Sequence, residues 1–363
     1  MTHTPWPLRA LAIGLAASFC GVALAANAAN KAPIPAPAAS FASTTLDTLA
    51  HEIASTHSLD AGWVRQQLAT ARHLPRVRQW VLPAPSGTAK NWNVYRDRFI
   101  EPRRLQASQR FWQQHASALA RAEQQYGVPA SLIVGVIGVE TFYGQHMGQH
   151  RVLDALTTLA LDFPPAHPRA ATRQAFFRQE LGELLRLGQQ GQVDIQRLRG
   201  SYAGAVGWPQ FMPSSWAKYA VDFDGDGRID LLNSPVDAIG SVAHYFQAFG
   251  WQTGLPTHCS VSVQASGDAL QTLLKPDIVP TFSFADMERL GAVPASAARE
   301  HSGPLALVLL ENGGQAPHYV AGSQNFYVVT RYNWSSYYAL AVIELGERVR
   351  AIVPKENATL ARP

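Results

Sequence analysis

Residues 131–144, Ser131-Leu-Ile-Val-Gly-Val-Ile-Gly-Val-Glu140-Thr-Phe-Tyr-Gly144, decide the fold. No charge occurs before Glu140 in this stretch, and it is apolar nearly all round. Coiled into a helix it has no face to offer water, so it belongs inside a helical core. A carboxylate at the end of such a helix is partly desolvated, which disfavours its charged form and raises its pKa. A general acid needs that property near neutral pH. The plainer alternative is a buried Glu paired with an Arg for structural reasons.

Apolar residues recur at helical spacing on both sides of this stretch. Upstream, Leu46–Leu74 carries short amphipathic segments broken near Ser58 and Pro75. The segment Val81–Pro102, with Pro83, Pro85, Ser86 and Gly87, reads as a loop. One long helix is predicted over Leu105–Tyr126, ended by Gly127 and Pro129. Downstream, helices are predicted over Leu153–Leu161, Arg169–Leu187, Pro213–Tyr219, Val236–Phe249 and Ser335–Val349. Between Thr257 and Thr330 the pattern changes to short β-rich runs, among them Cys259–Val263, Leu305–Leu310 and Phe326–Thr330. The predicted fold class is mainly α (α+β). A helical region and core span 45–256, a small β subdomain is inserted over 257–330, and a C-terminal helix returns to the core over 331–363.

The 363 residues are 47% hydrophobic and 15% charged, which excludes a disordered chain and allows a sizeable core. A net charge of +4 suits an anionic polymer. No basic run with interleaved aromatics stands out, so nucleic acid is not the expected partner. At the N-terminus, Arg9 precedes the apolar stretch Leu11–Leu24 and the small-residue site Ala23-Leu24-Ala25. Residues 1–25 read as a secretory signal peptide, too short for a transmembrane anchor, with cleavage after Ala25 or Ala28. Lipoprotein processing at Cys20 is the lesser alternative, because Phe19 is bulky where a small residue is needed. Residues 26–44, rich in Ala, Pro and Ser, read as a flexible leader. After cleavage only Cys259 remains, which excludes an intramolecular disulfide.

Three further segments carry chemistry. Gly200–Trp216 sets glycines and small residues among Tyr202, Trp208 and Gln210, a composition that lets backbone approach a ligand, although packing alone also explains the glycines. Asp222, Asp224 and Asp226, followed by Gly227, stand at positions 1, 3, 5 and 6 of an EF-hand-like calcium loop, with Arg228 at position 7. Asn233 replaces the usual Glu at position 12, and Asp237 is the candidate to close the site; a degenerate, empty loop is the alternative. Lastly, Phe326–Tyr338 gathers aromatics and amides at a predicted strand-to-helix junction, suited to a sugar cleft or to plain core.

Together these segments resemble the lytic murein transglycosylase B family. The resemblance is carried by Gly138-Val-Glu-Thr with Tyr143-Gly144, Leu153-Asp-Ala-Leu156, Ser201-Tyr-Ala-Gly-Ala, Gln210-Phe-Met-Pro-Ser-Ser, the Asp222 loop, Asp237-Ala-Ile-Gly-Ser-Val-Ala and Arg331-Tyr-Asn. These recur in order from about Phe41 to the C-terminus. The resemblance implies a lysozyme-like helical core with a small β domain, and a periplasmic enzyme whose single catalytic acid/base is Glu140. It implies substrate contacts at Ser201, Gln210, Tyr245, Tyr332, Asn333 and Tyr338. It also implies structural calcium at Asp222, Asp224, Asp226, Arg228 and Asp237, and no organic cofactor. The expected partners are peptidoglycan glycan strands, together with wall-synthesis or remodelling proteins. The expected reaction cleaves the MurNAc-β-1,4-GlcNAc bond and leaves 1,6-anhydromuramyl ends; a hydrolytic muramidase and a non-catalytic wall-binding protein are the alternatives. Two departures stand out: the calcium loop is one residue longer before Asp237, with Ser234 inserted, and Phe176 stands where the family has a tyrosine.

Overall fold

A computed structural model describes residues 40–83, 87, 89–300 and 303–353. The predicted signal peptide, Cys20, most of the predicted leader and the tail from 354 onward lie outside the described residues. The N-terminal helices are α1 (Ser43–His57), α2 (Ala61–Leu68), α3 (Pro75–Trp80) and α4 (Trp92–Asp97). Ser58 ends α1 in a left-handed conformation, and Pro75 opens α3 at its first turn, where its missing N–H costs nothing. Helix α1 begins inside the stretch read as leader, and α4 forms inside the predicted loop, because Asn91 caps it by accepting from the Val94 N–H.

The long helix expected over Leu105–Tyr126 is two: α5 (Pro102–Gln114) and α6 (Ala116–Tyr126), separated at His115, whose backbone (φ −117°, ψ 21°) leaves the helical region. Next come α7 (Ala130–Thr141), β1 (His150–Arg151), α8 (Val152–Leu161), α9 (Ala170–Gln189), β2 (Arg199–Gly200), α10 (Pro213–Tyr219) and α11 (Pro235–Ala248). The β-rich region follows as β3 (His258–Val263), α12 (Gly267–Leu274), α13 (Phe284–Arg289), β4 (Ala292–Pro294), β5 (Ala306–Asn312) and β6 (Gln315–Gly322). The chain closes with α14 (Gln324–Thr330) and α15 (Ser336–Ile352). Phe326–Thr330 is therefore helix, not strand: Ser323 caps α14, and tertiary burial overrides the β propensity of Phe, Val and Thr.

Helix α7 is the axis of the molecule, flanked by α5, α6, α11 and α15. Its side chains from Leu132 to Val139 are buried, as an all-apolar helix requires. It meets α15 at very short range. A methyl group on Gly135 would strike the carbonyl of Val342, and one on Gly346 would strike the carbonyl of Ser131. Glycine at both positions lets the two backbones touch.

The sheet has the order β4-β3-β6-β5 and is antiparallel throughout. It separates two cores, because successive side chains on a strand point to opposite faces. Ala306, Val308, Leu310 and Val320 join the helical core, whereas Leu305, Leu307 and Ala321 pack with Leu273 and Met287 of α12 and α13 in a smaller one. Among the described residues no helix is long and apolar enough to cross a membrane.

Candidate active site

Glu140 occupies the last full turn of α7, and the chain then leaves abruptly. Phe142, Tyr143 and Gly144 take consecutive positive φ values of 51°, 57° and 79°. Left-handed backbone at two non-glycine residues costs about 1–2 kcal/mol each. Strain of this kind persists only where neighbours enforce it. Those neighbours are present: Thr141 Oγ1 donates to the Trp208 carbonyl (3.0 Å) and accepts from the Gly144 N–H (3.1 Å). The Tyr143 hydroxyl donates to Ser108 over Gly138, where any side chain would collide with it.

The Glu140 side chain is partly exposed and looks into a cleft that it shares with Ser201, Gln210, Tyr245, Tyr332 and Asn333. Burial pushes its carboxyl up to about 7, against a smaller opposing pull from the Tyr338 hydroxyl, which donates to Oε1 at 2.6 Å. Burial and the facing carboxylate hold the Tyr338 hydroxyl well above its ordinary pKa, so it stays a donor. Glu140 is the one carboxylate among the described residues that line the cleft.

The other predicted contacts fall into distinct roles. The Tyr332 hydroxyl donates to the Pro209 carbonyl (2.5 Å) and that of Tyr245 to the Arg331 carbonyl (2.7 Å). With these protons committed, the two tyrosines present the cleft with ring surface; Tyr332 lies 4.9 Å from Tyr245 and stacks on Tyr338 at 6.3 Å. Ser201 Oγ accepts from the N–H groups of Ala203 and Ala205 (3.2 and 3.0 Å), which leaves its own hydrogen to donate. Gln210, itself at φ 49°, gives its Nε2 to the carbonyls of Met147 and Gly207, which keeps its amide oxygen as acceptor. Asn333 Oδ1 is buried without a hydrogen-bond partner, an acceptor that a ligand N–H or O–H would satisfy. Tyr338 does not line the cleft; its link to the site is the hydrogen bond to Glu140.

Three residues escaped the reading of the sequence. Tyr95, on the unforeseen α4, has its hydroxyl raised by burial and then by Glu140. Arg173 is buried, with its guanidinium 5.1 Å from the rings of Phe176 and Phe177 and Nη1 unpartnered. Burial lowers its pKa to about 10, which keeps it cationic at neutral pH, and Tyr202 of the cleft opposes that fall. Glu180 caps the start of α10 by accepting from Ser214 N (2.9 Å) and Oγ (2.6 Å). Arg173 and Glu180 sit among Phe177, Leu181 and Leu184 on the buried stripe of α9, and that interruption of an apolar spacing was the available signal.

Carboxylate oxygens of Asp222 and Asp224, in the loop between α10 and α11, and of Asp237, in the first turn of α11, all lie within 4.8 Å of one another. Ser234 links these groups: it caps α11 by accepting from the Asp237 N–H and donates to Asp224 Oδ2 (2.6 Å). Asp226 stands outside this group; it accepts from the Arg228 N–H (2.9 Å) and faces that guanidinium at 3.9 Å. The exposed Arg228 side chain, a cation itself, faces Asp226 and offers a metal ion nothing. Three hard oxygen donors in one small volume fit a divalent cation of the calcium type.

A helical core that holds one carboxyl with a raised pKa in a cleft of aromatic rings and amides is an arrangement suited to acid–base chemistry on a sugar. Residues 42–347 match the family described as Transglycosylase SLT domain, and the chain belongs to this family of lytic transglycosylases. It is 40% identical over 306 residues to the membrane-bound lytic murein transglycosylase B of Escherichia coli K12, covering 82% of this chain and 80% of that protein. The soluble lytic transglycosylase SltB1 of Pseudomonas aeruginosa superposes with a TM-score of 0.74 at 38% identity, covering 85% of this chain and 99% of that one. Escherichia coli Slt35, solved in complex with calcium, gives 0.71 at 37% identity, covering 84% and 92%. SltB3 of Pseudomonas aeruginosa, solved in complex with NAG-anhNAM-pentapeptide, gives 0.68 at 28% identity, covering 85% and 80%. The fold is thus the lysozyme-like one of these enzymes.

Proposed function

We propose that this enzyme cleaves the MurNAc-β-1,4-GlcNAc bond of peptidoglycan without consuming water, with Glu140 as both acid and base. The supporting observation is the solitary carboxyl, raised to about 7, in a cleft whose other lining residues are neutral. Paired-carboxylate glycosidases need a second acid about 5–10 Å away to act as nucleophile or to activate water. Here protonated Glu140 donates to the glycosidic oxygen, and the substrate's own acetamide stabilises the charge that develops at C1. Ionised Glu140 then takes the proton of the muramyl 6-hydroxyl as that oxygen attacks C1, closing a 1,6-anhydro ring. Attack within one sugar is favoured by its high effective molarity. The complex of SltB3 with an anhydromuramyl fragment fits this product.

Ser201, Gln210 and Asn333 serve as polar contacts, and Tyr245 and Tyr332 as stacking surface. Calcium held by Asp222, Asp224 and Asp237, with the Arg228 carbonyl in reach of the same loop, braces the start of α11. Export by the signal peptide delivers the enzyme to the periplasm, where glycan strands are its partner. The 257–330 region acts as a subdomain seated on that core. Mass spectrometry of digested sacculi tests the chemistry. Fragments of anhydro mass are expected from the parent, and none from Glu140→Gln at an unchanged melting temperature. Fragments of hydrated mass would mean hydrolysis, and binding by the parent without turnover would mean a wall-binding protein.

A further inference from the structure

Trp80, the last residue of α3, keeps 43% of its surface in solvent although a buried neighbour, Val77, anchors the same short helix. A lone exposed apolar side chain needs no explanation by itself. This one is continuous with the cleft. Its ring lies 5.7 Å from Tyr202 and 5.4 Å from His150, edge-on to both at 69° and 61°. Tyr202 lines the cleft beside Ser201, and His150 pairs with Gly200 across the short β1–β2 ladder immediately before it. Neither neighbour stacks flat on the indole, and the solvent-exposed part of Trp80 lies next to the cleft-lining Tyr202. The apolar C–H face of a pyranose suits such a surface, because the ring face carries negative charge density.

We propose that Trp80 is a remote sugar-stacking site that holds the glycan strand beyond the residues around Glu140 and gives the enzyme its preference for long strands. This rests on the glycan-cleaving function proposed above, and it goes beyond it by naming a substrate feature, strand length, that the enzyme reads. Contacts remote from the reacting bond add binding that a truncated substrate cannot use.

The test uses Glu140→Gln protein, which binds without turnover, and uncross-linked glycan strands of graded length, with affinity read by calorimetry. Adding Trp80→Ala weakens binding of long strands roughly three- to tenfold, the scale of one aromatic contact. The loss shrinks as the strands shorten to a tetrasaccharide, and Trp80→Phe restores most of the affinity. An equal loss at every length, or no loss, overturns the proposal. Because the substitution is on the surface, a fallen melting temperature for Trp80→Ala shifts the reading to Trp80→Gln, judged by the same length dependence. Cleavage of sacculi by the parent, measured alongside, reports on the underlying function separately.

Discussion

At position 140 burial drives the carboxyl toward its neutral form while the Tyr338 hydroxyl favours the ionised one, and burial wins by enough to place the pKa at about 7. A group that must start the reaction protonated therefore loses activity as pH rises through about 7. Tyr338→Phe removes the stabiliser of the ionised form, so the Glu140 pKa rises and the alkaline limb of the pH–rate profile moves upward, by roughly one unit. A limb that stays in place or moves down contradicts this balance. Glu140 was legible in the sequence because nine apolar and small residues stand in a row before it and mark a buried helix. Its partner was not legible as a partner: Tyr338 lies 198 positions away, and it was identified by resemblance as a substrate contact rather than as a support for the acid. Tyr332 and Tyr245 show the same limit. Residue type announces a cleft tyrosine, but only packing decides that its hydroxyl is tied to a carbonyl.

Between elements, the α7–α15 contact sets the distance from acid to tyrosine. Gly346→Ala places a methyl group against the Ser131 carbonyl, and the helices must part. Overpacking of this kind costs about 1–3 kcal/mol. The variant is expected to lose that much stability in denaturant unfolding and, because Tyr338 moves with α15, a larger share of activity than of stability. Parent-like stability would show that the contact has slack. Helices with a clean 3.6-residue period, such as α8, α9, α11 and α15, were readable to within a few residues. The failures have local causes. Nothing in the sequence marks His115 as a break between two good helical stretches, and Pro83, Pro85 and Gly87 drew attention from the Asn91 cap that starts α4. In the sheet region, alternation revealed β3 and β5 but hid α12 and α13, which are too short to show a helical period.

Across the whole molecule the acidic loop ties α10 to α11, and α11 carries Tyr245 into the cleft. An ion that binds only the folded state stabilises it by mass action. Calcium in excess is expected to raise the melting temperature of the parent by roughly 5 °C, a chelator to reverse the gain, and Asp222→Asn with Asp224→Asn to abolish it. A melting temperature indifferent to all three removes the ion from the account. The path of the chain has a different consequence. The acid arrives with α7, but the ring stack and hydroxyl that tune it arrive only with residues 332–338, after the β3–β6 sheet has been laid down between them. On the proposed mechanism, a polypeptide released short of α15 carries Glu140 without the hydroxyl that favours its ionised form. Acid and partner come together only once α15 has packed on α7, so the proposed chemistry draws on both ends of the chain.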